Sequence, residues 1–520
     1  MIVVTAEEMR EMDRLTIDEY GAPSLALMER AGEGVTRAIV NRFGRHAKRG
    51  VLVAAGKGNN GGDGFVVARL LKKKGIRCEI ALLARKDEIS SDASHNLRRY
   101  LKLKGKVTEI SPQELELLAQ LINKKGVIVD AILGTGIKNN VHGLLAEAIT
   151  MINASGIPVV AVDIPSGLDA DRGSPLGVAI KAELTVALAY PKLGEVIYPG
   201  LNHVGELVVT DIGIAPDAAA KVAPKTELLD REMIRRLVPQ RAPDTHKGTY
   251  GHVLAVAGSR GKTGAAILAC RAAMRAGAGL VTLAAPRSLN HIFAASLVEV
   301  MTEPLRDNAA EQLEPLGDDD WRRLLAQKSA VLFGPGIGVN DTTQNNLRWL
   351  LRNLHLPWVI DADGLNTLAL EIDRLRHAKI APVLTPHPGE MARLAAKNTS
   401  AINADRVAIA RSFAREHRCH VVLKGARTVI ATSDGRVFIN PTGNPGMASA
   451  GMGDVLAGIL AALFGQGLAP EDAMKLGVYL HGFVGDTAIA EKGTIGLIAS
   501  DIVDGLPAGI RVLAAEPSEK

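Results

Sequence analysis

Hydrophobic and polar positions follow two alternating periods along most of the chain. Short apolar runs are each followed by a longer stretch in which apolar residues recur every three or four positions, which indicates strands that alternate with amphipathic helices. In the first half the predicted strands are residues 51–55, 78–83, 127–132, 158–163, 184–189 and 206–210. Because strands joined by helices build a parallel sheet covered on both faces, this half predicts a three-layer α/β domain.

The second half repeats the pattern. Its predicted strands are residues 252–257, 279–284, 330–333, 358–361, 383–385 and 420–423, followed by a hairpin of 428–432 and 436–439. Gly435 lies in the hairpin turn, where glycine readily adopts the left-handed conformation. Between the halves, the pattern weakens over an Ala-, Pro- and Lys-rich stretch with one short helical segment. We therefore predict a first domain at 1–213, a linker at 214–240 and a second domain at 241–510.

Composition narrows the class of protein. A chain of 520 residues exceeds one ordinary core, and 47% hydrophobic with 22% charged residues is typical of packed domains. The net charge of +5 comes with only 3% aromatic residues and scattered basic residues, which argues against a nucleic-acid partner. Three distant cysteines predict neither disulfides nor a zinc site, and we expect a cytoplasmic protein without signal peptide or membrane span. A homo-oligomer is expected by fold-level analogy alone.

A glycine-rich loop follows the first predicted strand, residues 51–55. Its sequence is Gly56-Lys57-Gly58-Asn59-Asn60-Gly61-Gly62-Asp63-Gly64. Glycines let the backbone approach a phosphate or a ring, and the next helix directs its free amides at the ligand. The spacing matches neither a Walker A loop nor the usual dinucleotide fingerprint. A turn that serves only helix–strand packing is the alternative, but it leaves Asn59, Asn60 and Asp63 unexplained.

Two further strands end in polar loops that carry Asp130, Asp163 and Ser166. Since the carboxyl ends of parallel strands form the usual ligand crevice, these side chains and Asn60 should converge there. Their oxygens suit a hard cation and leave one carboxylate for proton transfer. Taken singly, each Asp could equally be a turn or cap residue.

With Gly21-Ala22-Pro23-Ser24-Leu25-Ala26-Leu27-Met28-Glu29-Arg30-Ala31-Gly32 upstream, the half at 1–213 resembles the NAD(P)H-hydrate epimerase domain, which is Rossmann-like. The resemblance implies a K⁺ ion held by Asn60, Asp130 and Ser166, and makes Asp163 the acid/base candidate. The residues that it implies to bind the hydrated nucleotide are Asn59, Asn60, Gly61, Gly62, Asp63, Gly134, Thr135, Gly136, Ile137, Lys138, Asn139, Asn140 and Asp163.

The strongest motif of the second half is Asn444-Pro445-Gly446-Met447-Ala448-Ser449-Ala450-Gly451-Met452-Gly453-Asp454, just before a helix. Successive amides at such a helix start would form an anion hole for a transferring phosphoryl group, and Asp454 could accept a proton from an attacking hydroxyl. The motif resembles the GxGD element of ribokinase-like enzymes. Taken alone, Asp454 could equally be a helix cap.

Three more strand ends supply the context: Gly334-Pro335-Gly336, Thr385-Pro386-His387-Pro388-Gly389-Glu390 and Lys424-Gly425-Ala426-Arg427-Thr428. With them, residues 230–510 are similar to the ribokinase-like NAD(P)H-hydrate dehydratase domain. The resemblance implies an ADP site formed by Lys424, Gly425, Ala426, Arg427, Thr428 and Gly453. It implies a hydrate site formed by Ala265, Ala266, Gly336, His387 and Asp454. Mg²⁺ is expected with the nucleotide, and His387 could instead be a rigid-loop residue.

The two resemblances together predict a bifunctional metabolite-repair enzyme. It would epimerise the R and S forms of hydrated NADH and NADPH and dehydrate the S form at the expense of ADP, giving AMP and phosphate. The chief alternative is a small-molecule, vitamin-precursor kinase fused to a Rossmann-like binding module, because GxGD alone does not separate phosphorylation from dehydration. A third hypothesis makes the first half a non-catalytic binding or scaffold domain.

Overall fold

The computed structural model describes residues 1–516 and divides the chain into two compact units, Ile2–Thr226 and the residues from Glu227 onwards. The elements of the first unit are β1 (Ile2–Val3), α1 (Ala6–Asp18), α2 (Ser24–Ala47), β2 (Val51–Ala55), α3 (Asn59–Lys73), β3 (Cys78–Leu82), α4 (Ser91–Lys102), β4 (Lys106–Glu109), α5 (Leu115–Ile122), β5 (Val127–Ala131), α6 (Gly143–Ala154), β6 (Val159–Val162), β7 (Leu184–Leu188), α7 (Leu193–Val196), α8 (Leu201–Val204), β8 (Glu206–Thr210) and α9 (Pro216–Val222).

The sheet of the first unit has seven parallel strands in the order β4-β3-β2-β5-β6-β7-β8. One apolar cluster packs α2, α3 and α4 on one face, and a second packs α5 and α6 on the other. The central strands β2 and β5 are buried along their whole length, as a sheet covered on both faces requires. The expectation of a three-layer, Rossmann-like α/β domain is confirmed.

The strand order reverses between β2 and β5, and a crevice opens at such a point because the connections leave in opposite directions. Gly56 follows β2, and a Cβ at this position would lie 2.1 Å from the carbonyl oxygen of Ile132. Only glycine allows this approach, so the two loops meet at the floor of the crevice.

The elements of the second unit are β9 (Thr226–Leu228), α10 (Arg231–Arg235), β10 (His252–Val256), α11 (Thr263–Arg275), β11 (Leu280–Pro286), α12 (Asn290–Ser296), β12 (Met301–Leu305), α13 (Asp318–Leu325), β13 (Ala330–Phe333), α14 (Asp341–Asn353), β14 (Trp358–Ile360), α15 (Asp363–Ala369), β15 (Val383–Leu384), α16 (Pro388–Leu394), α17 (Thr399–Ala404), α18 (Arg406–Glu416), β16 (His420–Leu423), β17 (Val429–Ala431), β18 (Val437–Ile439), α19 (Met452–Gly465), α20 (Pro470–Lys492) and α21 (Ala499–Ala514).

The sheet of the second unit runs in the order β9-β18-β17-β16-β15-β14-β13-β10-β11-β12, with β10 to β16 parallel and β17 and β18 an antiparallel hairpin at the end of that run. Gly435 in the hairpin turn has a φ of 89°, as predicted. Helix α19 is buried almost throughout and packs between the sheet and helices α11 and α20. The ribokinase-like α/β/α expectation is confirmed.

The segment 214–240 differs from the expected linker. Its first part forms α9, which packs on α1. Its second part forms β9 and α10, and α10 packs on α20 and α21. Ala218, Leu229 and Ile234 are at most 1% exposed, so apolar residues of this segment are buried in the units themselves. The Ala-, Pro- and Lys-rich composition conceals them.

Four strands were not predicted: β1, β4, β9 and β12. The edge strands β4 and β12 carry charged residues, and apart from Leu305 their residues are exposed or half-buried, so neither has the apolar run by which the central strands are recognised. Among residues 1–516, no helix has the length and apolar character needed to cross a membrane.

Candidate active sites

A cavity of about 700 Å³ opens at the β2–β5 crevice of the first unit. Its wall is formed by the start of α3, the loop after β5, the end of β6 and one side of α1. The predicted site residues that line it are Asn59, Asn60, Asp63, Gly134, Thr135, Gly136 and Asp163. Helix α3 begins directly at Asn59, so its free N-terminal amides face the same space.

The remaining predicted substrate residues of this unit do not contribute to the cavity wall that the described residues form. A Cβ at Gly61 would lie 2.1 Å from the carbonyl oxygen of Gly56, and one at Gly62 would lie 2.8 Å from the Met28 thioether sulfur. These two glycines therefore serve close packing. The others, in the loop beyond Gly136, are Ile137, Lys138, Asn139 and Asn140.

Asp163 stands at the carboxyl end of β6 with a φ of 68°, a left-handed conformation that Asp tolerates better than most residues. Its Oδ1 accepts hydrogen bonds from the Leu188 amide at 3.1 Å and from the ammonium of Lys192. Lys192 is fully buried and also donates to the carbonyl of Leu188. A half-buried carboxylate on the cavity wall is thus paired with a fully buried ammonium at the residue that precedes α7.

Three more carboxyl groups surround this pair. Burial, with a contribution from Asp163, raises the pKa of Asp13 on α1 to about 6. Burial also raises the pKa of Asp63 well above its usual value, and Asp163 and Asp13 add to the shift. Burial raises the pKa of Glu195 to about 8, although Lys192 opposes the shift. One ammonium therefore lies among four carboxyl groups, and burial raises the pKa of three of them.

Sequence analysis missed Asp13, Lys192 and Glu195. Asp13 lies on the same face of α1 as the buried Met9 and Thr16, four and three positions away, and a carboxyl on a buried face was the available signal. Lys192 follows Pro191 just beyond a buried strand, where a fully buried lysine has no motif to mark it.

The three residues expected to hold K⁺ lie together beneath the cavity. Ser166 donates to Asp130 from its hydroxyl at 2.5 Å and from its amide at 2.8 Å. The Asn60 amide donates to the carbonyl of Leu133 at 2.9 Å, whereas Asn60 Oδ1 is buried without a hydrogen bond. Burial raises the pKa of Asp130 to about 6, against the hydrogen bonds from Ser166 and Ile132. A buried carboxylate next to an orphaned amide oxygen is a donor set that fits a hard cation.

In the second unit, Asp454 lies in the first turn of α19, and Gly451 before it has a φ of 88°. Gly451 ends the preceding loop in a left-handed turn that a side chain would strain, and the helix starts immediately afterwards. Burial raises the pKa of Asp454 to about 7, with further increases from Asp361 and Glu390 and an opposing effect of Lys424. Asp454 can therefore exchange a proton near neutral pH.

Lys424, at the end of β16, directs its ammonium into this site. Its Nζ lies 2.9 Å from Asp361 Oδ1 and 3.7 Å from Glu390 Oε2. A Cβ at Gly453 would lie 3.0 Å from the same Nζ, so the helix start and the ammonium adjoin. Burial alone would lower the pKa of Lys424, but Asp361 and Glu390 raise it above the usual value. The pairing of a cation with free helix amides suits a phosphoryl group.

Sequence analysis quoted Glu390 in a motif and placed Asp361 at the end of a predicted strand, without giving either residue a role. Both are at most 5% exposed, and Thr385 donates to Asp361 Oδ1 at 2.7 Å. Asp361 follows a strand two positions away in the sheet from the strand before Lys424, so the spacing of the two residues in the sequence does not predict their contact. The strand order β14-β15-β16 brings Asp361, Thr385 and Lys424 side by side.

The predicted nucleotide loop Gly425, Ala426, Arg427 and Thr428 follows Lys424 and is held by a residue that sequence analysis missed. The guanidinium of Arg406 donates to the carbonyl oxygens of Leu423, Lys424 and Ala426 at 3.0, 3.2 and 2.5 Å. Burial lowers the pKa of Arg406 to about 10, so it stays charged at neutral pH. This cation fixes the backbone of the loop.

The residues predicted to bind the hydrate differ in which of their atoms a ligand could reach. A Cβ at Gly336 would lie 2.8 Å from the carbonyl of Lys262 and 3.3 Å from Ala265 Cβ, so the loop after β13 touches the start of α11. Ala266 is fully buried in the core, which leaves only its backbone for a ligand. His387 caps α16: its Nδ1 accepts the amides of Gly389 and Glu390. Burial lowers the pKa of His387, with Lys424 adding to the shift, and its Nε2 lies 3.5 Å from Glu390 Oε1.

Within residues 1–516, no cluster of three or more His, Cys, Asp or Glu side chains is arranged to hold a metal ion. Transition-metal sites need such a cluster.

Comparisons with known proteins divide the chain in the same way. The family model described as NAD(P)H-hydrate dehydratase matches residues 253–508. The model described as YjeF-related protein N-terminus matches residues 24–194. A solved structure similar to the second unit is the ADP/ATP-dependent NAD(P)H-hydrate dehydratase from Bacillus subtilis, co-crystallised with ATP/Mg²⁺. It is 30% identical, with a TM-score of 0.47, and the match covers 55% of this chain and 98% of that chain.

The assignment of the chain to a family rests on relatives that match it over its full length. The chain is 46% identical over 518 residues to the bifunctional NAD(P)H-hydrate repair enzyme Nnr of Moorella thermoacetica, a match that covers 99% of this chain and 98% of that protein. It is 34% identical over 521 residues to the protein of the same name from Escherichia coli K12, covering 99% and 94%. Both predicted activities are therefore confirmed at the level of the family. The chain belongs to the bifunctional NAD(P)H-hydrate repair enzymes, in which an epimerase and a dehydratase are parts of one polypeptide.

Proposed function

We propose that the two sites described above carry the two steps of repair. The cavity at the β2–β5 crevice interconverts the R and S epimers of the hydrated nicotinamide ring. The site at the start of α19 dehydrates the S epimer, with ADP as phosphoryl donor and AMP and phosphate as products. The observation that carries the proposal is the arrangement of Asp454, Gly453 and Lys424, a half-buried proton acceptor beside an anion site.

Dehydration needs a better leaving group than hydroxide. Asp454 takes the proton of the C6 hydroxyl while the hydroxyl oxygen attacks the terminal phosphoryl group of ADP, and AMP leaves. The ring nitrogen's lone pair then expels phosphate from C6, and loss of a C5 proton restores the double bond of NADH or NADPH. Lys424 and the amides from Gly453 stabilise the charge on the phosphoryl oxygens during transfer. Phosphorylation thus turns a poor leaving group into a good one.

The ADP side of the site is assigned to Lys424, Gly453 and the loop at 425–428, whose backbone Arg406 holds. The hydrate side is assigned to Gly336, Ala265, the backbone of Ala266, His387 and Asp454. The two sides meet at the start of α19, where transfer takes place.

Mg²⁺ fits this site because it keeps water and phosphate oxygens as ligands and needs only one or two carboxylates from the protein. Asp361 offers one: its Oδ1 is engaged by Thr385 and Lys424, and its Oδ2 lies 3.8 Å from where a Cβ at Gly453 would be. When bound, Mg²⁺ neutralises charge on the diphosphate.

In the first unit, Asp163 is assigned as the acid/base group at the reacting carbon, and Lys192 holds its carboxylate in place. Asn59, Asn60, Asp63 and the loop at 134–136 bind the nucleotide. Epimerisation can proceed by loss and return of water or by ring opening, and both need a proton donor and a proton acceptor at the ring.

A K⁺ ion fits the pocket of Asn60, Asp130 and Ser166, as the unpartnered Oδ1 of Asn60 supports. When bound, it balances the charge of Asp130. Ser166 ties this pocket to the cavity wall, because its Oγ accepts the Leu133 amide at 2.8 Å and so positions the loop at 134–136. The cytoplasmic location and the homo-oligomer stay predictions.

One experiment tests the assignment as a whole. The purified protein is incubated with both hydrate epimers, ADP, Mg²⁺ and K⁺, and the absorbance of NADH is followed. Complete recovery is expected, whereas recovery of the S epimer alone would remove the epimerase assignment. Accumulation of a stable phosphorylated product would instead favour the vitamin-precursor kinase.

A further inference from the structure

The cavity of the first unit contains a carboxyl group for which the proposed function has no use. Asp13 reaches the cavity from α1, Asp63 from α3 and Asp163 from the end of β6. Asp163 and Asp13 both influence the proton affinity of Asp63, and Asp163 influences that of Asp13. Three elements far apart in sequence therefore direct aspartates into one space.

The three aspartates are not equivalent. Asp163 has the ammonium of Lys192 as a hydrogen-bond partner, which supplies a positive charge for its carboxylate form. Asp63 is buried and only 8% exposed at the base of α3. Asp13 is half-buried on the cavity wall, where it can touch a ligand and still exchange protons with solvent. The cavity thus combines a charged carboxylate with an accessible acid.

Epimerisation at one carbon needs two proton-transfer groups. The hydroxyl leaves as water only when it receives a proton, and the water that returns to the other face must lose one. A single carboxylate held by Lys192 can do one of these at a time. The second group has to reach the ring from a different element.

We propose that Asp13 is the second catalytic carboxyl of the epimerase, acting opposite in role to Asp163. This inference rests on the proposed function. In one direction the Asp13 carboxyl protonates the departing C6 hydroxyl, the C6–O bond breaks, and the ring nitrogen's lone pair forms a C6=N1 iminium. Asp163 takes a proton from the water that adds to the other face, so that a C6–O bond forms again. In the other direction the two aspartates exchange roles. Between turnovers in one direction Asp163 releases its proton to solvent and Asp13 takes one up, so that protons, electrons and water balance over the cycle.

The groups around Asp13 agree with this role. Its pKa is raised to about 6, first by burial and then by Asp163, while Lys192 opposes the shift. Asp63 and Arg10 also line the cavity near it. An acid of this kind donates and recovers a proton readily near neutral pH.

The test uses the full-length protein, a single purified epimer and no ADP, and follows epimer exchange by NMR against a protein-free blank. Asp13→Asn should lower kcat for exchange about 100-fold with little change in KM, because a general acid contributes about 10² to 10⁴. Asp13→Glu should restore part of the rate. Asp18→Asn, on the same helix but 59% exposed, is the matched control and should leave the rate unchanged.

The pH profile separates catalysis from structure. Wild-type exchange should fall as the pH rises above about 6, when Asp13 loses its proton, and Asp13→Asn should lack this decline. An unchanged rate in Asp13→Asn would overturn the inference. A lower rate that keeps the wild-type pH profile, or that comes with a higher KM, would assign Asp13 to positioning and also overturn it. Failure of the proposed function is distinct, since the wild-type protein itself would then not exchange the epimers.

Discussion

Each site of this chain places one ammonium among several carboxyl groups, and the two sites differ in where that ammonium lies. In the first unit, Lys192 lies beyond β7 among Asp13, Asp63, Asp163 and Glu195, and burial raises the pKa of three of these carboxyl groups. In the second unit, Lys424 pairs with Asp361 and Glu390 and adjoins a glycine-rich helix start, so that its ammonium and the free helix amides can meet an anion next to Asp454. The first arrangement suits proton transfer, and the second suits phosphoryl transfer.

The same parts of the fold produce both sites. Each lies at the carboxyl ends of parallel strands with a helix beginning at its edge, α3 in one unit and α19 in the other. The two helix starts differ in their charged neighbours. Asp63 is buried near the start of α3 without a cation as a hydrogen-bond partner among the contacts of residues 1–516, whereas Asp454 near the start of α19 has Lys424 close by. The ligand chemistry is therefore set by a few charged side chains and not by the fold.

The largest expected effect comes from removing the acceptor of the second site. Asp454→Asn keeps the size of the side chain but cannot take a proton, so dehydration of the S epimer should fall about 10⁴-fold. Nucleotide binding should persist, because Lys424 and the loop at 425–428 are untouched. NADH absorbance measures dehydration, and epimer exchange in the same preparation is the control. Near-normal turnover would contradict the assigned role.

The corresponding change in the first site is Asp163→Asn. It removes the acid/base group and leaves the ammonium of Lys192 without its counter-charge, so epimer exchange should fall about 10³-fold while dehydration of pure S epimer is unaffected. Exchange is followed by NMR and dehydration by absorbance. Loss of both activities would show that the two sites are coupled, and it would contradict the view that each site works on its own.

The rates of the two activities should change with pH in opposite directions. Asp454 must be a carboxylate to accept a proton, and burial raises its pKa to about 7, so kcat/KM for dehydration should rise about tenfold per pH unit below 7 and then level off. Epimer exchange should instead decline above about pH 6 as Asp13 loses its proton. Both profiles are measured on one preparation. Parallel profiles would contradict the distinction drawn between the sites.

The glycine-rich loops were predictable because their residues are consecutive in sequence. Gly56 to Gly64 and Gly446 to Asp454 each sit next to a helix start, and the local pattern alone indicates an anion site. The central strands were predictable for the same reason, since a buried parallel strand is a continuous apolar run.

The partners of these loops were not predictable, because the sheet order brings them together. Asp13, Asp163 and Lys192 come from three separate segments, and Asp361 meets Lys424 only because β14, β15 and β16 are neighbours. The resemblance to a family supplied Asp163 but not Lys192 or Asp13. Burial of a charged side chain is the signal that marks such residues, and it is visible only in the structure.

The smallest expected effect tests how the nucleotide loop is held. In Arg406→Lys the ammonium cannot reach the three carbonyls that the guanidinium bridges, so the loop at 425–428 loosens. One lost charge-assisted hydrogen bond of about 1.5 kcal/mol corresponds to a roughly tenfold higher KM for ADP. Steady-state kinetics with saturating S epimer measure this, and Arg415→Lys, exposed on the same helix, is the matched control. Epimer exchange should not change, because it needs no ADP. A higher KM for ADP in Arg406→Lys, together with unaltered exchange, would show that Arg406 affects the phosphoryl-transfer site alone.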